Sequence, residues 1–359
     1  MRRVVRGPLH MLHRTGAMRM LHRMRPRRIT VLAYHRIADP HDPAFRGLVA
    51  NVSATPDGFA RQLDRLARSF SVISLDQLLN WLRGAGALPE YPALITFDDG
   101  YRDAFDNALP ALQRRGLPAV LFVATSCIGS SRPFFWDLAA WCFRETRRTQ
   151  GLLPLVGHRR FADEASRSAA LSAWLGAAKR LPQKEIGVAA EALRQALDVA
   201  VDDDTFAGQH LSWDEVRALA RGGVAIGAHT CSHAILSRLR RSDVRSEVVG
   251  SKRLLESELG VPVTAFAYPN GLAEDYGADD AALLEREGFA CAFTLAPGPA
   301  SPAEVRREPW QIRRVLVTGG DDDASLSAKV CGLTRMGEVL RRSFSSRGRP
   351  APRLQSGTR

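Results

Sequence analysis

The segment "ALITFDDGYRDAFDNALP", residues 93–110, joins a strand pattern to a helix pattern through two adjacent acids. The apolar run 93–97 predicts a buried strand, and it stops at Asp98 and Asp99, which a glycine follows. Helical spacing then extends from residue 103 to a glycine at 116. A buried strand that leads into a helix is the repeating unit of a parallel sheet.

The same unit recurs along most of the chain, because short apolar runs alternate with helical patterns. Seven or eight such units favour a barrel of the TIM type, whole or incomplete, over an open sheet. Residues 132–210 break the alternation with helical sequence rich in Ala and Arg, which predicts a helical insertion after the fourth strand. The predicted strands are 29–34, 71–74, 93–97, 119–124, 224–228, 263–268, 290–295 and 313–317.

The positive charge of the chain is concentrated at its two ends. Of the net charge of +12, residues 1–28 carry +9 and residues 335–359 carry +6, which leaves −3 for residues 29–334. We therefore expect a basic N-terminal tail, one folded domain over 29–334 and a basic C-terminal tail. This distribution argues against a basic nucleic-acid groove in the domain, so no nucleic-acid partner is expected. Solvated disorder is expected for the tails, with weak attraction to an anionic membrane surface as the alternative.

The start of the chain does not have the pattern of a secretory signal. Its basic residues are not followed by an apolar segment of the required length, since Arg14, Arg19 and Arg23 interrupt it. The five cysteines are scattered and form no C-x-x-C pair, which suits a reducing compartment. We expect a cytoplasmic protein, with a peripheral position at the inner membrane face as the alternative.

Four predicted strands end in residues that are polar or form turns. His35 follows the first strand, Asp98 and Asp99 follow the third, His229 follows 224–228, and Asn270 lies just after 263–268. The carboxyl ends of parallel barrel strands meet at one mouth, where active sites are built. The sequence therefore predicts an active site at this mouth.

The residue types indicate a metal centre. His229 and His233 are four apart, so that in a helical turn both imidazoles face the same ion. One carboxylate would complete a set that suits a divalent metal, most simply Zn²⁺, which can acidify a bound water and polarise a carbonyl. One aspartate of the pair would bind the metal while the other accepts a proton. The alternative is structural, with a turn at "DDG" and Asp98 capping the helix that follows.

The motifs "TFDDG", "IGAHTCSH" and "FAYPNG" resemble those of the polysaccharide deacetylases, which share the NodB homology domain and are related to carbohydrate esterase family 4. The resemblance covers about residues 29–320, and "AYHRI" and "FFWD" are similar to the branch associated with exopolysaccharide synthesis. It implies a deformed (β/α) barrel that removes N-acetyl groups from an N-acetylated sugar with the help of a metal. The implied partner is an acetylated glycan or a lipid-linked sugar.

The resemblance also implies a role for each matching residue. Asp98 would be the general base, and Asp99 would bind the metal together with His229 and His233. In "FAYPNG", the backbone N–H near Asn270 would stabilise the developing oxyanion.

Two departures from the family pattern change the expected catalytic set. Ala267 stands where many members have an arginine that orients the base, and no histidine follows His233 to act as the general acid. We predict that Arg314 replaces the arginine, although Arg313 is equally available by sequence. His35 is the predicted general acid, since an unperturbed imidazole pKa of about 6.5 suits proton donation to a leaving amine. A structural role for His35 is the alternative.

Two other functions fit the same residues. One is a metal-dependent hydrolase of a non-sugar amide or imide, and the other is a catalytically degenerate barrel that binds glycan. The aromatic residues within 134–141 are predicted to belong to the core, with a sugar-stacking lip as the alternative.

Overall fold

The computed structural model describes residues 27–333 together with residues 11 and 15. Nearly all of both basic tails lies outside these residues, so the roles expected for the tails and the cytoplasmic location stay predictions. None of the described helices combines the length and apolar character needed to cross a bilayer. The strands are Thr30–Tyr34 (β1), Arg36–Ile37 (β2), Val52–Ala54 (β3), Ser71–Val72 (β4), Pro92–Phe97 (β5), Ala119–Val123 (β6), Gln150–Leu153 (β7), Gly157–Arg160 (β8), Val224–Ala228 (β9), Ala265–Ala267 (β10), Cys291–Pro297 (β11) and Ile312–Leu316 (β12).

Seven parallel strands close into a barrel, in the order β1-β12-β11-β10-β9-β6-β5 and back to β1. The closure pairs β1 with β12 on one side, where Leu32 faces Val315, and with β5 on the other, where Thr30 faces Ala93. The short β4 lies beside the start of β5. The predicted deformed (β/α) barrel is therefore confirmed, and every predicted strand has a counterpart in the sheet. Strands such as β1, β5 and β6 are buried at every position, which is why their sequences are continuously apolar.

Helices cover the outside of the barrel and begin where the sequence supplies caps. The Thr55 hydroxyl accepts from the Gly58 N–H at the start of α1, and Ser74 and Gln77 form a capping box at the start of α2. The helices are Pro56–Ser69 (α1), Leu75–Leu82 (α2), Leu109–Gln113 (α3), Phe135–Glu145 (α4), Glu164–Ala178 (α5), Gln183–Leu197 (α6), Trp213–Arg221 (α7), Arg241–Leu259 (α8), Ala278–Arg286 (α9), Pro302–Arg307 (α10) and Asp323–Val330 (α11).

The helix predicted after Asp98 and Asp99 is not a continuous α-helix. A π-helical turn, Ala104–Ala108, precedes α3. Pro110 lacks the N–H that a regular α-helix would use at this point, so the wider turn passes into a short helix with Pro110 in its first turn.

The predicted insertion after β6 contains α4, α5 and α6 and has its own apolar cluster around Trp174, Phe161 and Leu193. It also contains an antiparallel hairpin, β7 and β8, that the sequence analysis did not predict. Most side chains of this hairpin are at least partly exposed, so its sequence lacks the alternation of apolar and polar residues that predicts a strand. Its turn uses left-handed backbone at Leu155 and Gly157.

Candidate active site

Asp98 and Asp99 lie at the carboxyl end of β5 and point in different directions. Both are buried, with 2% and 1% of their surface exposed. Asp99 has a φ of 82°, a left-handed value that is uncommon for aspartate and often found at functional sites. Gly100 follows with a φ of 97°, and a Cβ there would lie 3.1 Å from Ile128. This backbone turn sends the two carboxylates to different partners.

Asp99 lies beside His229 and His233. The Oδ1 atom of Asp99 is 3.6 Å from Nε2 of His229 and 3.3 Å from Nε2 of His233. The three ligand atoms lie within 4.8 Å of one another. Both oxygens of Asp99 are buried and accept no hydrogen bond within the described part of the chain. A buried carboxylate without a donor is costly, and a divalent cation between these atoms would satisfy it. The residues therefore fit a metal ion.

The two imidazoles converge through a loop rather than the helical turn that their spacing suggested. Residues 229–233 form no helix, and Thr230 and His233 both have left-handed backbone, with φ values of 65° and 57°. The Thr230 hydroxyl accepts from the Ala234 N–H at 3.1 Å and so closes this loop. The loop, not the four-residue spacing, brings the second imidazole to Asp99.

The carbonyl of Ala267 orients His229. It lies 2.7 Å from Nδ1 of His229, so this nitrogen donates to the carbonyl and Nε2 faces Asp99. Such contacts to a backbone carbonyl are common behind metal-binding histidines. Ala267, where the resemblance implied an arginine, therefore still contacts the site through its backbone carbonyl.

Electrostatics keep Asp99 ionised and His233 neutral. Burial acts to raise the pKa of Asp99, but the two imidazoles and His35 outweigh it and hold this pKa well below its usual value. Burial lowers the pKa of His233, and Asp99 offsets only part of that effect. An ionised carboxylate and a neutral imidazole are the protonation states that metal binding requires.

Asp98 faces Arg314 on the other side of the turn. Nη1 of Arg314 donates to Oδ1 of Asp98 at 2.7 Å, and Nη2 donates to Oδ2 at 2.8 Å. Burial acts to raise the pKa of Asp98, but Arg314 and His229 act against it, and the pKa lies below its usual value. Arg313 on the same strand is only half-buried, so the structure distinguishes the two arginines that the sequence left equal.

His35 and Asn270 line the same cleft as Asp99 and His233. His35 is half-buried, and its backbone N–H donates to the Ser53 hydroxyl at 2.9 Å. Asn270 has a φ of 60°, and its side chain is engaged on both ends. It donates to Asp275 at 2.6 Å and accepts from Nζ of Lys179 at 2.8 Å. The catalytic roles predicted for both residues stay predictions.

The cleft has a volume of about 530 Å³, and the barrel mouth and the insertion line it together. Lys179, directly after α5, and Trp136 of α4 are insertion residues on its wall. Only 6% of Trp136 is exposed, and its ring packs against His233 with the centroids 4.8 Å apart. Trp136 thus belongs to the core and to the cleft wall at once. Sequence reasoning missed Lys179 because nothing around it forms a motif.

The chain resembles known proteins in sequence and in fold. The profile of the polysaccharide deacetylase family matches residues 85–288. YxkH of Bacillus subtilis (strain 168), a candidate polysaccharide deacetylase, is 22% identical over 237 residues. That match covers 66% of this chain and 55% of YxkH, so the chain spans only about half of this relative.

Solved structures show the same fold at low sequence identity. The Streptococcus pyogenes deacetylase PplD, solved in complex with acetate, is 16% identical and has a TM-score of 0.55, over 85% of this chain and 99% of PplD. IcaB from Ammonifex degensii is 19% identical and has a TM-score of 0.54, over 85% of this chain and 97% of IcaB. Because the family profile covers more than half of its 359 residues, this chain belongs to the polysaccharide deacetylase family.

Proposed function

We propose that the chain is a metal-dependent hydrolase that removes N-acetyl groups from an N-acetylated sugar, in a polysaccharide or its lipid-linked precursor. One observation carries the proposal. Asp99, His229 and His233 converge at the barrel mouth beside a second, separately held carboxylate, Asp98. The similarity of "AYHRI" and "FFWD" to the exopolysaccharide-associated branch supports a role in exopolysaccharide biosynthesis.

Asp99, His229 and His233 would hold the metal, and two imidazoles with one carboxylate suit Zn²⁺. When bound, a divalent ion supplies Lewis acidity, which activates water and polarises the acetamide carbonyl. The three ligands leave coordination positions for water and substrate.

Asp98 would accept the proton of the attacking water. Arg314 holds both oxygens of Asp98, so the carboxylate is fixed in one orientation and kept ionised. A base that is ionised and fixed in place is ready at the start of each turnover, and positioned proton transfer contributes about 10²–10⁴-fold to rate. Adjacent aspartates thus provide a ligand and a base from one strand end.

His35 would protonate the leaving amine, and the backbone N–H near Asn270 would stabilise the oxyanion. Both residues line the cleft with Asp99, and His35 acts electrostatically on Asp98 and Asp99, which indicates proximity. Lys179 and Asp275 hold the Asn270 side chain from opposite ends, which fixes the turn that presents this N–H.

The test is acetate release from a panel of N-acetylglucosamine oligomers, lipid-linked acetylated sugars and small cyclic amides, with and without a chelator. We expect release from the sugars, its loss with chelator and its recovery with Zn²⁺. Turnover of the cyclic amides alone would instead indicate the amide or imide hydrolase. Stoichiometric zinc without activity on any acetamide would indicate the degenerate glycan-binding barrel.

A further inference from the structure

Another buried carboxylate, that of Asp137 in α4, lies outside the proposed ligand and base set. It is completely buried and accepts hydrogen bonds from three separate segments. The backbone N–H of Leu48 donates to Oδ1 at 2.8 Å, while the Tyr101 hydroxyl and Nε2 of Gln209 donate to Oδ2 at 2.6 and 2.8 Å. The carboxylate therefore joins the loop before β3, the end of β5 and both ends of the insertion.

These contacts lead to a proposed metal ligand. Tyr101 is two residues after Asp99, and its hydroxyl accepts from Nε1 of Trp136 at 2.8 Å. The Trp136 ring packs edge-on against the imidazole of His233. Leu48, whose backbone N–H also donates to Asp137, lines the cleft together with Trp136 and His233. One carboxylate thus fixes two residues of the cleft wall and, through Trp136, the ring of His233.

A carboxylate is not needed merely to hold the insertion against the barrel. Burying a carboxylate is expensive, and apolar contacts usually join two elements at lower cost. What a carboxylate adds is orientation, because each of its hydrogen-bond donors must point toward it. Burial raises the pKa of Asp137 to about 6, and the guanidinium of Arg36, which lies 4.5 Å from the centroid of the Tyr101 ring and pairs with Asp103, offsets only part of that effect.

We propose that Asp137 is a positioning residue for the metal centre, which it serves by orienting Tyr101 and Trp136 behind His233. This inference rests on the proposed metal site. Asp137 touches neither substrate nor metal, and its effect on the site passes through the indole of Trp136. Groups behind the ligands of a metal site typically change metal affinity about 10- to 100-fold.

The test compares the zinc affinity of the wild-type chain with that of three variants, in a competition titration. Asp137→Asn keeps the shape of the side chain but replaces one acceptor oxygen with an NH₂ group. This group must then face a hydrogen-bond donor, either the Leu48 N–H or the Tyr101 hydroxyl and the Gln209 amide. Trp136→Phe keeps the ring against His233 and removes only the N–H donor. The matched control is Asp280→Asn, another buried carboxylate, which accepts from the Gly277 N–H at the start of α9.

We expect Asp137→Asn to weaken zinc binding about tenfold or more and to change the visible spectrum of the Co²⁺-loaded chain. Trp136→Phe is expected to act in the same direction but less strongly. Asp280→Asn is expected to lower the melting temperature, because it weakens the cap at the start of α9. Its zinc affinity is expected to stay within about twofold of the wild-type value.

A folded Asp137→Asn variant with wild-type zinc affinity and an unchanged Co²⁺ spectrum would overturn the inference and leave the proposed function standing. If Asp137→Asn does not fold, Trp136→Phe decides in the same way. A wild-type chain that binds no metal would overturn the proposed metal site itself, which is a different result.

Discussion

The carboxylate of Asp98 and the guanidinium of Arg314 form a buried two-point ion pair, with N–O distances of 2.7 and 2.8 Å. Arg314 is fully buried, and its Nε donates to the carbonyl of Thr294 at 3.0 Å, which fixes the plane of the guanidinium. The two residues are far apart in sequence and meet because β12 pairs with β1, which pairs with β5. The pair places the proposed base beside the metal ligands.

Arg314→Lys is expected to lower kcat about tenfold or more while zinc stays bound. Lysine keeps the positive charge but cannot hold both carboxylate oxygens in one plane, so the base loses its fixed orientation. Acetate release and zinc content of the purified variant would measure this. The matched control is Arg313→Lys on the same strand, which is expected to keep wild-type activity. Equal losses in both variants would contradict the role given to Arg314.

Asp98→Asn is expected to lower turnover by about 10²–10⁴-fold and to retain zinc, because a neutral amide cannot accept the proton. It also leaves Arg314 buried without its partner charge, which costs about 3–5 kcal/mol of stability. The double variant Asp98→Asn/Arg314→Met removes both charges and is expected to recover the melting temperature but not the activity. Recovery of acetate release in the double variant would show that Asp98 serves stability rather than catalysis.

Removal of the metal is expected to lower the melting temperature, because an ion that binds only the folded state stabilises it. At a free zinc concentration 100 times the Kd, the stabilisation is about 2.7 kcal/mol. His233→Ala is expected to abolish the difference between melting curves with zinc and with chelator. His41→Ala, in an exposed loop, is the control and should keep that difference. A difference that persists in His233→Ala would place the stabilising ion elsewhere.

Lys179→Met is expected to reduce kcat/KM about tenfold, which corresponds to about 1.4 kcal/mol. The reason is that Asn270 loses the charged donor that holds its side-chain oxygen, so the proposed oxyanion N–H becomes less fixed. Arg180→Met, the neighbouring exposed cation, is the control and should behave as the wild type. If both variants lose activity equally, the effect is one of general surface charge.

The sequence predicted the barrel because its strands are buried on both faces and so remain apolar without interruption. It did not predict the β7 and β8 hairpin, because most of its side chains are at least partly exposed and follow no apolar pattern. Asp99 and His229 were found because they lie at strand ends, and His233 was found by its spacing from His229. The conformation of residues 229–233 was predicted wrongly, since a spacing of four also fits a loop with left-handed residues at Thr230 and His233.

Contacts between residues that are far apart in the chain could not be predicted from the sequence. Arg313 and Arg314 differ only in which way each side chain points from β12, and this depends on the strand's register in the closed barrel. Lys179 meets Asn270 from 91 residues away. Asp137 was visible in "FFWD", but its three donors come from segments that only the folded chain brings together.

Anomalous diffraction at the zinc absorption edge, from crystals of the chain grown with zinc, would locate the ion directly. We predict one strong peak about 2.0–2.2 Å from a carboxylate oxygen of Asp99 and from Nε2 of both His229 and His233. A zinc-loaded crystal with no peak between these three side chains, or with its peak at other residues, would contradict the proposed metal centre.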